Sequence, residues 1–369
     1  MSSERETWRI IDTGVRRAAE NMALDRAILE AHQEGEAPHT LRFLQFKPSA
    51  LVGFHQSVSQ ELRADYCREN GIDIQRRITG GGAIYFDETQ IGWELFLNKQ
   101  RLGTADMGAI AEKICNAAAE GMRRLGVEAY FRPRNDIEVD GRKISGTGGA
   151  FDGDSIIYQG TLLVDFDVGR MMRVLQIPAE KLSDKAIESA QDRVANLKGL
   201  LGEAPSMAEV KKHIGEAMAE AFDVDMEEVN NLTHREEQLY REALDEIDSD
   251  EWVYQIDHGA DAAPTVESIT RSDGGTMRAH VWVDRNRGMI KQVMLTGDFF
   301  VNPKRMVLDL EGALKETPLA KLRETVNAFF DDYPVEMLQL TREDFITAIE
   351  TALAQLDSAD AAESGGQGA

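Results

Sequence analysis

The sequence predicts an α+β fold with a mixed β-sheet, and three observations lead to that prediction. Short apolar runs of strand period are interleaved with longer segments of helical period. Several neighbouring strand candidates are separated by tight turns, which favours hairpins over regular β-α-β units. The chain has 369 residues, 42% of them hydrophobic and 29% charged, which is the composition of a soluble globular protein long enough for two domains.

The first two thirds of the chain hold most of the predicted elements. Apolar runs bounded by turn residues predict strands at 8–12, 41–46, 50–53, 72–75, 92–97, 129–132, 136–139 and 156–164. Helical periodicity predicts helices at 18–32, 59–70, 109–125, 169–175, 206–222 and 236–247. Gly71 and Gly126 are natural ends for two of these helices, and Ser206 with Glu209 forms a capping-box pattern at the start of a third.

The rest of the chain predicts a smaller unit of the same class. Its strands are expected at 266–271, 276–284 and 289–296, and its helices at 307–314, 319–330 and 342–356. An acidic, polar run before them is interpreted as a linker, and the small residues at the end predict a disordered tail. The expected division is a larger domain at 1–247, a linker at 248–263, a smaller domain at 264–356 and a tail at 357–369.

Charge and hydropathy limit the classes of function. Sixty-five acidic and forty-one basic side chains give a formal charge of −24, which argues against a general nucleic-acid binder. An acidic surface favours solubility, and a salty habitat is an alternative reason for it. No apolar run approaches the ~20 residues that span a bilayer, and the polar N-terminus lacks the apolar core of a signal peptide. We therefore expect a cytoplasmic protein that does not bind a membrane.

The cysteines and histidines give no sign of a metal centre. Cys67 and Cys115 both fall in predicted helices, without the spacing of metal ligands, and are interpreted as buried free thiols. The seven histidines are scattered along the chain. A structural zinc site is therefore not expected.

A glycine triplet, Gly80-Gly81-Gly82, is the first of two motifs that could carry chemistry. Glycines let the backbone approach a ligand closely, with N–H groups facing anionic oxygen. The triplet matches neither Gly-x-Gly-x-x-Gly nor the P-loop pattern, so a structural turn is the alternative. Arg76 and Arg77 stand just upstream and favour an anion site, unless they only pair with acids such as Asp73 or Asp87.

The second motif surrounds Lys143. Asp140-Gly141 is a strong hairpin signal, so Lys143 is expected early on the return strand, beside a glycine-rich turn predicted at 146–149. Alone it would be a surface lysine, and Asn135-Asp136 could be only a turn. Asp136 is a plausible Mg²⁺ ligand if a nucleotide binds. Ser145 has no Ser/His/Asp partners or Gly-x-Ser-x-Gly elbow to make it a nucleophile. Together, the two motifs predict a site for a carboxylate, a phosphate or both.

These motifs in combination resemble the lipoate–protein ligase family. The pattern is Arg76-Arg77-x-Thr79-Gly80-Gly81-Gly82-Ala83 followed by Asn135-Asp136-(x6)-Lys143-x-Ser145-Gly146. Further matches lie at Asn21-Met22-Ala23-Leu24-Asp25, Gly160-Thr161-Leu162-Leu163, Arg193-Val194-x-Asn196-Leu197, Gly288-Met289-Ile290 and Asn302-Pro303. The resemblance covers nearly the whole chain except the tail, and the two central motifs are specific when found together.

The resemblance implies a catalytic domain like that of class II synthetases, with a mixed sheet flanked by helices, and a C-terminal accessory domain. It also implies a two-step reaction that needs ATP, Mg²⁺ and lipoate. Lipoate's carboxylate attacks the α-phosphate of ATP, giving lipoyl-adenylate and pyrophosphate. A lysine of an acceptor protein then displaces AMP and forms an amide. The acceptor would be a lipoyl domain, a glycine-cleavage H protein or a specialised lipoate-binding carrier, and the enzyme itself is expected to be a monomer.

The resemblance also implies roles for individual residues, with Lys143 as the catalytic residue between carboxylate and phosphate. The ATP or lipoyl-AMP site would comprise Arg77, Gly82, Ala83, Ile84, Tyr85, Asn135, Asp136 and Lys143. The lipoate site would comprise Thr79, Gly80, Gly81, Lys143, Ser145 and Gly146. Asp136 would hold Mg²⁺ or orient Lys143. Strand residues such as Leu44 and Val52 would contribute to an apolar tunnel for the acyl chain.

The sequence departs from the family pattern at two places, and three other functions are alternatives to a lipoate–protein ligase. Phe86 stands where many relatives have histidine, and Tyr158-Gln159 replaces a His-His or similar pair. Octanoyl- or lipoyltransferases of the same fold use a cysteine thioester, and no cysteine follows Cys115 here. Biotin–protein ligases use a Gly-Arg-Gly-Arg-type loop, which is absent. A non-catalytic lipoyl-binding relative would not need Lys143, Asp136 and the glycine triplet together, so a ligase is predicted.

Overall fold

The computed structural model describes residues 5–104, 106–133, 135–176, 191–257 and 263–365. The chain forms two compact units. The first comprises Met1–Val52, Val58–Thr79 and Ala83–Val253, and the second comprises Gly53–Ser57, Gly80–Gly82 and Tyr254–Ala369. Residues 258–262 of the expected linker and 366–369 of the expected tail lie outside the described residues, and the domain limits drawn from the sequence stay predictions.

The strands are numbered in chain order. They are β1 Thr7–Arg16, β2 Thr40–Phe46, β3 Ser49–Val52, β4 Asp73–Arg76, β5 Ile84–Phe86, β6 Gln90–Asn98, β7 Ala129–Arg132, β8 Asp136–Val139, β9 Arg142–Asp152, β10 Ser155–Leu163, β11 Asp225–Glu228, β12 Val266–Ser272, β13 Gly275–Asp284, β14 Met289–Gly297, β15 Val301–Asn302, β16 Thr317–Pro318 and β17 Glu336–Met337.

The helices are numbered in the same way. They are α1 Ala18–Gln33, α2 Val58–Glu61, α3 Ala64–Glu69, α4 Lys99–Leu102, α5 Met107–Arg124, α6 Val168–Val174, α7 Leu197–Leu201, α8 Met207–Phe222, α9 His234–Ile247, α10 Asp250–Val253, α11 Met306–Leu314, α12 Leu322–Asp332 and α13 Arg342–Gly365. No helix in the described part of the chain is both long and apolar enough to cross a membrane.

The first unit is built on an eight-stranded sheet of order β11-β1-β2-β6-β10-β9-β8-β7. Strand β1 is parallel to both of its neighbours, and the other pairs are antiparallel, which confirms the predicted mixed sheet and α+β class. Helices α5 and α8 cover one face of the sheet, over an apolar cluster that includes Trp93, Ile114 and Met218. Helices α1 and α9 cover the other face, over a cluster that includes Ile28 and Ile157.

A three-stranded sheet of order β4-β3-β5 packs on the α1 side of the large sheet. Its residues Leu51 and Phe86 belong to the same apolar cluster as Ala150 of β9 and Ile157 of β10. The chain segment that carries Arg77 and Tyr85 therefore lies on this side of the large sheet. The capping box predicted at Ser206 is confirmed, because its hydroxyl accepts the Glu209 N–H at the start of α8.

The helix predicted at 59–70 is wrong, because the structure has two short helices, α2 and α3, in its place. Between them Leu62 forms a β-bridge with Leu175, and the Arg63 N–H donates to the Val174 carbonyl oxygen at 2.9 Å. A backbone donor that bonds a distant segment cannot also continue a helical ladder. The interruption is therefore a tertiary effect that the local periodicity does not contain.

The glycine-rich turn predicted at 146–149 is also wrong, because these residues lie inside strand β9. The pairing with β10 runs without a break from Thr147 opposite Gly160 to Asp152 opposite Ser155. At Gly149 a Cβ atom would lie 3.0 Å from Cδ2 of Tyr158, so the glycine makes space for a neighbouring ring. Gly146 and Gly149 therefore serve close packing rather than a change of chain direction.

The second unit contains a four-stranded antiparallel sheet of order β12-β13-β14-β16 and a short β15–β17 pair. Its apolar cluster joins the sheet to α11, α12 and α13 through residues such as Val281, Leu310, Val326 and Phe345. The three predicted strands and three predicted helices of this part are present. Helix α13 continues past Leu356, the last residue that its apolar period predicts, through a segment rich in alanine, which favours helix.

Candidate active site

The Lys143 hairpin is formed by β8 and β9 in the first unit. Asp140 and Gly141 at its tip have φ angles of 51° and 73°, the positive values that a type I′ turn requires. The hairpin predicted from Asp140-Gly141 is thereby confirmed. Lys143 is the second residue of the return strand.

A β-bulge decides which way Lys143 faces. Ile137 pairs with Ser145, whereas the next residue of β8, Glu138, pairs with Lys143, so Ile144 is an extra residue on β9. In an unbroken strand, residues 143 and 145 would share a face, and Ser145 faces the buried side together with Ile137. The bulge instead turns Lys143 to the opposite face, which is the face of Asp136 and Gly146.

Lys143 and Asp136 form an ion pair on that face. The Lys143 Nζ atom lies 2.7 Å from Oδ1 of Asp136, and the two side chains are 45% and 24% exposed. A Cβ atom at residue 146 would lie 2.9 Å from both Cε and Nζ of Lys143, so the lysine side chain passes over Gly146. The pair is thus half open to solvent, and Gly146 provides the space through which the lysine reaches its carboxylate.

The segment after residue 190 holds the backbone of Lys143 from the other side. The Lys143 N–H donates to the Arg193 carbonyl oxygen at 3.0 Å, and the Ala195 N–H donates to the Lys143 carbonyl oxygen at 2.9 Å. The Asn196 side chain accepts the Gly199 N–H at 2.8 Å and caps α7. The segment at 193–197 therefore holds the backbone of Lys143 in place. The resemblance to the family does not by itself give this role.

Asn135 anchors the start of β8 to β9. Its Nδ2 atom donates to the Thr147 carbonyl oxygen at 2.6 Å, and its own carbonyl oxygen accepts from both the N–H and the hydroxyl of Thr147. Ser145, expected at the lipoate site, is fully buried on the α5 side, and its hydroxyl has no hydrogen-bond partner among the described residues. The structure therefore brings Lys143, Asp136 and Gly146 together and leaves Ser145 on the opposite face.

The two arginines before the glycine triplet differ in their surroundings. Arg76 donates from Nη2 to the Val253 carbonyl oxygen at 2.8 Å and accepts on its own carbonyl oxygen from the indole of Trp252, so it ties β4 to α10. Arg77 donates from Nη1 to the Leu51 carbonyl oxygen at 3.1 Å. Burial and the adjacent Arg76 charge lower the pKa of Arg77 to about 10, so it remains a cation at neutral pH.

The chain after the triplet leads into β5 of the small sheet. Thr79 is buried, whereas Ala83 and Ile84 are half-buried. Tyr85 is buried, donates its hydroxyl to Asp87 Oδ2 at 2.9 Å and lies under the guanidinium of Arg170. The two apolar residues expected at the acyl tunnel, Leu44 and Val52, are buried strand residues of this unit.

The glycine triplet groups with the second unit rather than with the first. The Gly81 N–H donates to the Phe299 carbonyl oxygen at 3.4 Å, and a Cβ atom on Gly80 would lie 2.4 Å from that oxygen. A Cβ atom on Gly53 would lie 1.9 Å from the Gly81 carbonyl oxygen. Backbone packing therefore requires glycine here, and the Gly81 N–H, which the sequence suggests for an anion, is directed at a carbonyl.

The described residues hold no group of three His, Cys, Asp or Glu side chains arranged for a metal ion. Asp136, the candidate Mg²⁺ ligand, is a single carboxylate that binds Lys143 through one oxygen. Cys67 and Cys115 are buried free thiols, as predicted. Burial raises the pKa of Cys67 to about 11 and also raises that of Cys115, so neither is a ready thiolate.

The large mixed sheet flanked by helices is that of the lipoate-protein ligases, whose fold resembles class II synthetases. A family model, the lipoyl protein ligase A/B catalytic domain, matches residues 17–219. The match covers more than half of the chain, and the chain belongs to this family. The resemblance that the two sequence motifs indicate is thereby confirmed.

Relatives within this family carry two different activities in their names. The chain is 28% identical to lipoate-protein ligase LplJ of Bacillus subtilis over 281 residues, which cover 76% of this chain and 81% of the relative. It is 27% identical to octanoyltransferase LipM of Kyrpidia tusciae over 276 residues, which cover 68% of this chain and 99% of the relative. A crystal structure of lipoate-protein ligase A bound with ATP superposes with a TM-score of 0.59 at 26% identity, covering 68% of this chain and 99% of that one.

Proposed function

We propose that this protein is an ATP-dependent lipoate–protein ligase. In the first step an oxygen of lipoate's carboxylate attacks the α-phosphorus of ATP, the bond to the β-phosphate oxygen breaks, and pyrophosphate leaves. In the second step the amine of an acceptor lysine attacks the carbonyl of the mixed anhydride, loses a proton and releases AMP. The observation that carries the proposal is the Lys143–Asp136 pair, directed by the β-bulge to an accessible face.

The residues of this face suit the first step. A carboxylate and a triphosphate repel each other, so a cation between them lowers the repulsion and stabilises the charge that develops during transfer. Lys143 is a half-exposed cation on the hairpin, and its ammonium pairs with the carboxylate of Asp136. Arg77, a buried cation on the adjoining small sheet, is proposed to bind phosphate. The remaining oxygen of Asp136 would hold Mg²⁺, whose charge would neutralise phosphate oxygens when it binds.

The cysteines favour a ligase over an octanoyltransferase. A transferase that forms a thioester needs an accessible thiol with a pKa low enough to give thiolate. Both cysteines of the chain are buried, and burial raises the pKa of each. No cysteine follows Cys115 in the sequence, so the hairpin and everything after it lack a thiol. The chain therefore depends on a different means of activating the carboxylate, for which the adenylate is proposed.

The proposed acceptor is an apo-protein that presents a lysine to the adenylate, such as a lipoyl domain or a glycine-cleavage H protein. The test incubates the purified protein with lipoate, ATP, Mg²⁺ and a panel of such acceptors, and reads AMP release together with the mass of each acceptor. We expect both products to depend on ATP and to be lost in Lys143→Ala. The neighbouring Arg142→Ala variant serves as the control and should keep most of the activity.

Two other outcomes would contradict the ligase proposal. If the protein transfers octanoyl groups from a carrier protein without ATP, and Cys115→Ala abolishes that transfer, the ligase proposal is wrong. Binding of lipoate without AMP release would instead indicate a non-catalytic member of the family.

A further inference from the structure

Directly behind the Lys143 face lies a small buried polar cluster that the proposed reaction does not use. It consists of Cys115 on α5, Thr147 on β9 and Tyr158 on β10, with exposures of 0%, 7% and 1%. The hydroxyls of Thr147 and Tyr158 are 2.8 Å apart, and the Cys115 sulfur is 3.4 Å from each oxygen. Cys115 and Tyr158 lie within the otherwise apolar cluster beneath α5. Polar groups in such a place are retained when each one has a partner.

Thr147 connects this cluster to the hairpin. Its N–H and its hydroxyl both donate to the Asn135 carbonyl oxygen, at 2.9 Å and 3.0 Å. Asn135 in turn donates from Nδ2 to the Thr147 carbonyl oxygen at 2.6 Å. Asn135 directly precedes Asp136, the residue that holds the Lys143 ammonium. A displacement of Thr147 would therefore move the start of β8 and the carboxylate with it.

The number of hydroxyl hydrogens decides which group donates in each of these hydrogen bonds. Thr147 has a single hydroxyl hydrogen, and it is used on the Asn135 carbonyl oxygen. In the 2.8 Å contact Tyr158 must therefore be the donor and Thr147 the acceptor. With both hydroxyl hydrogens used, the Cys115 thiol is the donor to this pair. The chain runs in one direction from the thiol through the two hydroxyls to the Asn135 carbonyl, and such chains strengthen each bond in them.

The surroundings hold the Tyr158 ring in one orientation. Its Cδ2 atom occupies space that a Cβ on Gly149 would fill, and the ring stacks with Trp93 at a centroid distance of 6.5 Å. Burial raises the pKa of the Tyr158 hydroxyl, which keeps the hydroxyl a donor. A half-exposed ion pair such as Lys143–Asp136 gains too little free energy to fix its own geometry. The buried chain of hydrogen bonds behind the pair can hold Asp136 in place.

We propose that Tyr158 is a positioning residue, whose hydroxyl fixes Asp136 and Lys143 through Thr147 and Asn135. The proposal rests on the proposed ligase function for its kinetic consequence. Tyr158 stands where the family pattern has a His-His or similar pair. The proposed role therefore belongs to this sequence and not to the family pattern. Tyr158 touches none of the reacting atoms, since it lies on the α5 side of the sheet.

The kinetic test uses three substitutions and measures lipoyl-AMP formation. Tyr158→Phe and Thr147→Val, which remove a hydroxyl with little change in shape, should each lower kcat about 10-fold while KM for ATP and lipoate changes less than about twofold. Thr147→Ser keeps the hydroxyl and should keep most of the activity. The double variant should be no slower than Thr147→Val, because both hydroxyls act through the same chain. Tyr240→Phe, on helix α9, is the matched control.

A second measurement separates this inference from the ligase proposal. Acetic anhydride labelling followed by mass spectrometry reports how tightly Asp136 holds Lys143, whatever reaction the protein catalyses. We expect severalfold faster acetylation of Lys143 in Tyr158→Phe, with Lys198 and Lys315 unchanged, while melting curves show that the variant is folded. Unchanged labelling of Lys143 in a folded Tyr158→Phe protein would overturn the inference. Faster labelling without any lipoyl-AMP formation by the wild type would overturn only the ligase proposal.

Discussion

Two charged clusters on the same eight-stranded sheet differ in nearly every physical respect. Lys143 and Asp136 lie on a hairpin toward one end of the sheet, 45% and 24% exposed. Arg42 of β2 lies near its middle, fully buried, and donates from Nη1 to both Asp25 of α1 and Glu94 of β6. Both clusters are ion pairs by geometry. Their surroundings decide what each one can do.

The exposed pair contributes little to stability and remains available to a ligand, since exposed ion pairs are typically worth about 0–1 kcal/mol.

The buried cluster has two carboxylates for one arginine. Burial raises the pKa of Asp25 and raises that of Glu94 well above its usual range, and the adjacent Asp25 charge adds to the effect on Glu94. This raised pKa favours the protonated, uncharged form of Glu94. The sequence pattern at 21–25 is thus part of the scaffold, whereas the pattern at 135–146 holds the candidate site.

The largest expected effect is on catalysis, at the exposed pair. Lys143→Met should reduce lipoyl-AMP formation by about 10³-fold or more, because the charge proposed to stabilise the transition state is lost. The free energy of unfolding, measured with urea, should change by less than about 1 kcal/mol. Lys198→Met is the matched control, since Lys198 forms a 2.8 Å pair with Asp165 and is 52% exposed. A large loss of stability in Lys143→Met would remove the contrast between the two clusters.

The second effect is on stability, at the buried cluster. Arg42→Met should lower the free energy of unfolding by about 3–5 kcal/mol, because it leaves buried carboxyl groups without their cation. Activity per folded molecule, measured at low temperature, should stay close to that of the wild type. A loss of stability below about 1 kcal/mol would show that the cluster is as dispensable as a surface pair.

A third substitution sharpens the comparison by adding one methyl group. In Gly146→Ala the new Cβ would displace the end of the Lys143 side chain, which is flexible and can move at little cost. We expect activity to fall about 10- to 100-fold, as misplacement of a catalytic group does, with nearly unchanged urea unfolding. Gly312→Ala in α11, where a Cβ would meet nothing within 4 Å, is the control. Full activity in Gly146→Ala would show that the path of the lysine over this residue is unimportant.

The smallest effect is on the change of the free energy of unfolding with pH. Because burial raises the pKa of Glu94 in the folded state, its contribution is complete below its unfolded pKa and is lost as pH rises through the raised folded pKa. Glu94→Gln should flatten the decline of unfolding free energy above pH ~7.5, by at most ~1.4 kcal/mol per pH unit. Measurement there avoids Glu311, whose pKa burial raises to about 7, and His32, whose pKa burial lowers to about 4. Parallel curves for the wild type and Glu94→Gln would show that Glu94 holds no proton.

Local chemistry explains which parts of this structure the sequence predicts. The hairpin at Asp140-Gly141 is evident because the φ angles of a type I′ turn select those residues directly. The bulge at Ile144 is not evident, since the extra residue shows only when the partner strand is known. Gly149 looks like a turn residue in sequence, because glycine serves both turns and close packing. The break at Leu62 depends on a partner more than one hundred residues away.

The candidate site shows the same division between local and distant information. Lys143, Asp136 and Gly146 belong to one sequence motif, and the structure brings them together on one face. In the sequence, Tyr158 is only a departure from the family pattern, because its partners Thr147 and Cys115 come from a strand and a helix that meet in the folded state. No spacing in the sequence indicates such a contact.

The hydrogen bond from Gly81 to Phe299 has a consequence for how the protein is made. The backbone partner of the glycine triplet lies more than two hundred residues later in the chain, and the His55 carbonyl likewise accepts from Gly297. During synthesis on a ribosome both loops must therefore wait, without these bonds, until β14 and the residues after it have emerged. A nascent chain released before residue 297 would hold the complete Lys143 hairpin and lack the bonds that complete its glycine loop.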